Sequence, residues 1–424
     1  MRIIEYKKIK ESFFESNWKS DLRVVNTIIK KVKKYGDSAV KHYTKMFDGV
    51  MLRQIRVDKQ ELAKAFQKLD RKVLKALNIA KFNIEKFSRS QIKQLKDFRV
   101  KVASGVIAEQ RVIPINRIGI YVPGGRYPLV STVLMCGVPA FVAGVREVVI
   151  CTPPAHDNAI HPAILATAKL VGIKEIYKMG GAQAIAAMAY GTETIKPVDK
   201  IFGPGNRYVT LAKKMVFGDA GIDFIAGPSE ILIIADASAA PEIIAADLLS
   251  QAEHDVDAIP VLVTDSSTLA KKVRSEIKRQ LVFLRTREIA EKSLNKNGLI
   301  ILVENIEQAM EIANKKAPEH LEIQVKNANR YVDKLKNYGS LFVGRYSAEV
   351  FGDYCAGINH TLPTNSSARY TGGLHIKDFL KIQTVLRVTK KGLENLGSVA
   401  DELSRIEGLN GHTQAIKMRR NWRQ

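Results

Sequence analysis

From about residue 117 onward the chain alternates short β-branched runs with helical stretches, and this rhythm leaves few folds open. Candidate strands lie at 118–122, 147–151, 175–177, 200–202 and 223–226, with helices predicted near 159–171, 182–190 and 208–216 between them. A second series follows, with strands at 231–235, 259–264, 299–303, 321–325 and 340–343 and helices at 241–254, 267–278 and 306–314. Strand, helix and strand in succession make a βαβ unit, whose crossover returns the chain to lay the next strand parallel to the last. The expected fold is α/β, with two doubly wound, Rossmann-like parallel-sheet domains. A helical N-terminal segment precedes them, because residues 21–34, 59–69 and 71–89 carry apolar residues at helical spacing, while 98–113 reads as extended. The tail from about His375 is short and less patterned, with a basic end at Lys417, Arg419 and Arg420.

Charge raises a second question, since the net charge is +23. Residues 1–100 hold 26 Lys and Arg against 11 Asp and Glu, so most of the surplus lies there. It is spread at helical spacing among apolar residues, without interleaved aromatics for base stacking and without a free basic arm. That is the pattern of solvated helix faces and not of a nucleic-acid interface. No apolar run approaches the ~18 residues of a membrane span, and the first residues, Met1 to Lys8, lack the apolar stretch of a secretory signal. A cytoplasmic protein with neither membrane nor nucleic acid as partner is expected. Cys136, Cys151 and Cys355 form an odd, sparse set with no CxxC spacing, so any metal must be held by nitrogen and oxygen.

The predicted strand-to-helix turns of the first series are rich in glycine: Tyr121-Val122-Pro123-Gly124-Gly125, Met179-Gly180-Gly181-Ala182-Gln183 and Phe202-Gly203-Pro204-Gly205-Asn206. Small residues at the carboxyl ends of parallel strands let a phosphate approach backbone N–H groups and a helix N-terminus. Singly, each is equally a tight βα connection. Three together point to a nucleotide or phosphorylated ligand, held without a GxGxxG fingerprint.

In the second series, Gln251 and His254 stand three apart on a predicted helix and share a face. Downstream come the adjacent Glu319 and His320 after Ala317-Pro318, then Asp353 and His360 on a glycine-containing stretch, and finally His412. Imidazole, carboxylate and amide oxygen are ligands for Zn²⁺ or a similar divalent ion, and a carboxylate beside an imidazole suits proton transfer near neutral pH. Neighbours in a strand face opposite ways, so the turn before residue 321 must aim both Glu319 and His320 inward. His42, His156, His161 and His375 have no such company and read as ordinary surface or core residues.

Taken together these segments resemble the histidinol dehydrogenase family from about residue 20 to the C-terminus. The resemblance is carried, in order, by Arg117 through Gly125, Gly181-Ala182-Gln183-Ala184, Gly203-Pro204-Gly205-Asn206, Ala226-Gly227-Pro228-Ser229-Glu230, Ser250-Gln251-Ala252-Glu253-His254, Ala317-Pro318-Glu319-His320-Leu321, Gly352-Asp353-Tyr354 through Asn359-His360-Thr361-Leu362-Pro363-Thr364, and Glu407-Gly408-Leu409 through His412. It implies an NAD-dependent four-electron oxidation of L-histidinol to L-histidine through L-histidinal, the end of histidine biosynthesis. By position, Gln251, His254, Asp353 and His412 would hold Zn²⁺ as a substrate anchor; His320 would be the base and Glu319 would activate water. Ser229, His360 and Glu407 would contact substrate together with the zinc ligands and His320, while Tyr121, Gln183 and Asn206 would contact NAD.

The resemblance further implies a homodimer whose C-terminal segment crosses over, so that His412 completes the partner's site. The domains expected are an N-terminal helical segment (1–20), a zinc and substrate domain (21–120 with 229–374), an inserted NAD domain (121–228) and a crossover segment (375–424). Cys355, Ile358 and Asp255 depart from the family's smaller or glycine residues, which leaves open a paralogous NAD-dependent dehydrogenase of another amino alcohol or polyol.

Overall fold

In the computed structural model, residues 1–14, 22–124, 127–155 and 157–421 are described, which leaves Gly125, His156 and the junction at residue 21 outside. The chain opens with β1 (Arg2–Glu5) and two short 3-10 turns at Tyr6–Lys8 and Glu11–Phe13. The expected helical N-terminal segment is present as α1 (Leu22–Asp48), α2 (Lys59–Gln67) and α3 (Arg71–Ile92), but the first residues are not part of it. Ile3 and Ile4 instead pair β1 in parallel with a strand near residue 300. Asp58 and Asp70 start α2 and α3 by accepting N–H groups of the first turn.

An antiparallel pair, β2 (Phe98–Ala103) and β3 (Val106–Pro114), leads into the first wound unit. This runs β4 (Arg117–Tyr121), α4 (Val130–Ala143), β5 (Glu147–Thr152), α5 (Pro162–Val171), β6 (Glu175–Lys178), α6 (Gly181–Tyr190), β7 (Lys200–Phe202), α7 (Arg207–Val216) and β8 (Gly221–Ile222). The second comprises β9 (Glu230–Ala235), α8 (Pro241–Ala252), β10 (Ile259–Thr264), α9 (Ser267–Leu281), α10 (Arg287–Lys296), β11 (Leu299–Leu302), α11 (Ile306–Lys316), β12 (His320–Gln324), β13 (Ser340–Val343) and α12 (Glu349–Tyr354). The tail is more ordered than its composition suggests, with β14 (Leu380–Val388), α13 (Lys390–Ile406) and α14 (Asn410–Arg420).

Among the described residues three sheets result: a parallel six-stranded one in the order β1-β11-β10-β9-β12-β13, a parallel five-stranded one in the order β6-β5-β4-β7-β8, and an antiparallel three-stranded one in the order β14-β3-β2. Helices cover both faces of the six-stranded sheet. Ile231, Ile233 and Leu262 pack toward one layer and Leu232, Ile234 and Val263 toward the other, which is why these strands read as unbroken apolar runs. Helix α4 was invisible to periodicity for a related reason: nearly all of its residues are buried, so it has no polar face to mark the helical repeat. The strand expected at 223–226 is shifted to Gly221–Ile222, because the Asp223 carboxylate accepts the N–H groups of Gly203 and Phe224 and ends the ladder there. Among the described residues no helix is long and apolar enough to cross a membrane.

The residues 223–229 leave the five-stranded sheet past the carboxyl end of β8 and enter β9 at its amino end. The carboxyl edge of one sheet is thereby joined to the amino edge of the other, with Tyr121 ending β4 at the first edge and His320 opening β12 at the second.

Candidate active site

Glu319 and His320 reach the amino end of β12 through a turn that only their local sequence explains. Helix α11 ends at Ala317 in the left-handed conformation (φ 49°), which few residues other than glycine adopt, and Pro318 then blocks any return to helix. Both side chains converge on the backbone of one residue, Glu230, of the neighbouring strand. The Glu319 carboxylate accepts the N–H of Glu230 at 2.9 Å, and His320 Nδ1 lies 3.2 Å from the Glu230 carbonyl oxygen. Nδ1 is within donating reach of that carbonyl, and Nε2 faces Asp353 Oδ1 at 3.4 Å.

Both residues are almost fully buried. Burial pushes the Glu319 carboxyl up to about 8. Burial works against a charged His320, yet Glu319, Asp353 and Glu349 around the ring outweigh it and raise its pKa well above the usual value. Burial likewise opposes ionisation of Asp353, but its contact with His320 keeps that carboxyl below its ordinary range. His254 and His360 are shifted the other way, toward the neutral form that binds metals, by desolvation of their rings.

Gln251, in the last turn of α8, is completely buried, and among the described residues neither its amide oxygen nor its nitrogen has a hydrogen-bond partner. Buried amides are almost always paired, so this group calls for a ligand. Among the described residues His360 Nε2 is orphaned in the same way, and His320 Nε2 has only the Asp353 contact. A divalent ion fits the set: amide oxygen from Gln251, carboxylate from Asp353 and imidazole from His254 are borderline to hard donors that meet a zinc ion's needs. His412 does not join them within one chain, since among the described residues no three His, Cys, Asp or Glu side chains come close enough to hold a metal ion. It lies instead on α14 and, with Glu407, lines a cavity of about 550 Å³ between α13 and α14. Ser229 is half-buried just before β9, its carbonyl taken by the Ile259 N–H.

A group of polar residues that the motifs do not reveal lies behind the imidazole. Gln324 Nε2 donates to Asp247 Oδ2 and Glu322 Oε2, both at 3.0 Å. Glu322 Oε1 accepts the Glu349 N–H at 3.1 Å, and Glu349 Oε1 accepts the Ser250 hydroxyl at 3.0 Å. Glu349 Oε2 is 4.0 Å from His320 Nδ1. Burial raises all three carboxyls, Glu349 to about 7 and Glu322 well above its ordinary value. Its signal in the sequence is the period-two stripe His320, Glu322, Gln324 along a strand whose other face, Leu321 and Ile323, is apolar.

On the five-stranded side, the glycine turns are tied to each other. The Tyr121 hydroxyl accepts the Gly181 N–H at 3.1 Å. Gly203 has φ 106°, and a Cβ there would lie 2.2 Å from the Tyr121 carbonyl oxygen, so glycine is required on both counts. The buried Lys213–Asp223 ion pair grips the same residue: Lys213 Nζ donates to the Gly203 carbonyl at 2.9 Å, and Asp223 Oδ2 accepts its N–H at 2.8 Å. Asn206 caps α7 through Oδ1, leaving its amide N–H groups uncommitted to the cap. Gln183 is buried with its whole amide unpartnered among the described residues, as that of Gln251 is.

The geometry has parallels among known proteins. The family model for histidinol dehydrogenase matches residues 14–420. A histidinol dehydrogenase of Geobacillus kaustophilus is 46% identical over 405 residues, covering 96% of this chain and 95% of that protein. That of Methanothermobacter thermautotrophicus is 44% identical over 423 residues, 99% of each. The crystal structure of histidinol dehydrogenase from Elizabethkingia anophelis superposes with a TM-score of 0.93 at 41% identity, covering 99% of this chain and 98% of that one.

Proposed function

The chain belongs to the histidinol dehydrogenase family and is an NAD-dependent oxidoreductase of that class, and from that premise we propose how its own residues carry the oxidation of L-histidinol through L-histidinal to L-histidine. The observation that supports the assignment is the convergence of Glu319 and His320 on the Glu230 peptide, with Asp353 against the free imidazole nitrogen.

In its neutral form His320 takes the hydroxyl proton at Nε2 as hydride leaves the carbinol carbon, its ring held from behind by the Glu230 carbonyl. Glu319 then takes a proton from the water that adds to the aldehyde, and the hydrate so formed gives up the second hydride and becomes the carboxylate. Two protons of different origin need two acceptors, and an adjacent imidazole and carboxyl supply them. Tyr121, Gln183 and Asn206, on the glycine turns, would hold NAD, which would supply the hydride acceptor, one NAD for each of the two oxidations. Gln251, His254 and Asp353, with His412 of a second copy, would hold a zinc ion that anchors the substrate as a template. Ser229, His360 and Glu407 contact the substrate.

A shared site requires a homodimer, and the molecule carries a surface suited to one. Phe98, Val100 and Val102 of β2, with Ile382 and Leu386 of β14, expose apolar side chains on the three-stranded sheet beside α13. Both Glu407 and His412 lie beyond this sheet. The protein then works as a cytoplasmic dimer in which each C-terminal hairpin serves the other chain. The test is NADH formation on L-histidinol, before and after chelation: two NADH per histidinol and loss of turnover on removing metal support the reading, and turnover of other amino alcohols with none of histidinol contradicts it.

A further inference from the structure

Glu230 stands in the Gly227-Pro228-Ser229-Glu230 motif, yet the reaction as described uses only its backbone. Its side chain is one of the most deeply buried acids in the molecule, 1% exposed. One carboxylate oxygen meets Lys316 Nζ at 3.0 Å, and the other accepts the Asn365 N–H at 3.1 Å. Lys316 is itself 5% exposed, with its ammonium 5.4 Å from the centre of the Phe13 ring. A buried ion pair is a poor means of holding a fold together, since desolvating two charges offsets most of their attraction and apolar replacements are often equally stable. Its place in the chain suggests another use.

Lys316 is the last residue of α11, three positions before Glu319, and the intervening Ala317 is held in the left-handed region. The contacts therefore close a ring. The Glu230 peptide grips the Glu319 carboxylate and the His320 ring, and the Glu230 side chain grips the residue from which the turn carrying both departs. The Asn365 contact extends the ring to the loop that bears His360, which Thr364 also fastens to the Gly227 N–H.

We propose that Glu230, locked by Lys316, is a positioning residue of the reaction: it fixes the distance between the imidazole and the carboxyl and holds the His320 ring with Nε2 turned toward the substrate. This rests on the assignment of Glu319 and His320 above. Neither Glu230 nor Lys316 touches the reacting atoms, so their loss acts on the rate of the chemical step and leaves binding unaltered. Misplacing a reacting group by about 1 Å costs up to roughly 100-fold.

The experiment compares Lys316→Met, Lys316→Arg and the double variant E230Q/K316M with wild type and His320→Asn, in the zinc-loaded full-length protein. Lys316→Met is expected to keep its circular dichroism, its zinc content and its KM for L-histidinol and NAD within about twofold, while kcat falls roughly 10- to 100-fold and Lys316→Arg recovers most of it. If Lys316→Met does not fold, because it strands a buried carboxylate, E230Q/K316M leaves no lone charge and is read in the same way. A folded variant with wild-type kcat, a loss confined to KM, or failure of both variants to fold overturns the proposal, the last because the pair is then only an anchor. If wild type is inactive on L-histidinol, or His320→Asn is as active as wild type, the catalytic assignment itself fails. An inactive His320→Asn beside a fully active Lys316→Met overturns this inference alone.

Discussion

The two sheets contribute to the junction in opposite ways. At the carboxyl edge of the five-stranded sheet the backbone turns are tied down, since Tyr121 holds Gly181, Lys213 and Asp223 hold Gly203 and Asn206 caps α7, and the buried amide of Gln183 is the one site residue there without a partner among the described residues. At the amino edge of the six-stranded sheet buried groups are left wanting: among the described residues the Gln251 amide and His360 Nε2 have no hydrogen-bond partner, and His320 Nε2 has only Asp353 Oδ1 at 3.4 Å. The first edge is a rigid cradle of backbone, suited to a ligand recognised by shape and phosphate. The second offers buried donor atoms without partners, which is what the proposed coordination and proton-transfer roles require. Open α/β sheets ordinarily place ligands at their carboxyl ends; here only the cradle follows that rule, and the chemistry sits at the other end of its own sheet.

The comparison is broken most severely by removing what the second edge lacks. Deleting residues 405–424 takes away Glu407 and His412 but none of the cradle, so bound zinc measured by atomic absorption and turnover should both vanish while NAD binding by calorimetry persists. A truncated protein with full turnover contradicts the crossover. Next in size, His320→Asn should lower kcat by about 10³-fold with little change in either KM, as expected for loss of a general base. Stopped-flow traces showing an undiminished first hydride transfer would remove His320 from the role.

Glu319→Gln sharpens the division between the two protons. The active form of this group is the carboxylate, and burial has raised its pKa to about 8. It is therefore protonated below that value and ionised above it, so wild-type oxidation of L-histidinal should climb with pH through about 8 and level off. The Gln variant should be low and flat across the same range, by about 10²-fold, and a variant retaining the rising limb assigns the ionisation elsewhere. The smallest effect belongs to the cradle: Gly203→Ala should raise KM for NAD roughly tenfold, with kcat largely kept, because a Cβ meets the Tyr121 carbonyl in a backbone region that disfavours side chains.

Strand rhythm made both parallel sheets legible because buried strands are continuous and bounded by turns, and glycine placed the cradle. Glu319 and His320 were visible as an adjacent pair after Ala317-Pro318, but their convergence was not, since it depends on a left-handed alanine and on the peptide of Glu230 some ninety residues away. The carboxylate group of Asp247, Glu322 and Glu349 escaped for the same reason: its members come from α8, β12 and α12 and meet only in the fold. Helix α4 and the ordered tail were missed because one has no polar face and the other has its apolar face outward.

The central claim, that a finished site draws His320 from one chain and His412 from another, is tested most directly by subunit complementation. His320→Asn and His412→Ala are each expected to be inactive alone. Co-expressed, half of a random mixture is heterodimer, and each heterodimer holds one site with both residues intact, so about a quarter of wild-type turnover should return. No recovered activity in a demonstrated heterodimer would contradict the account.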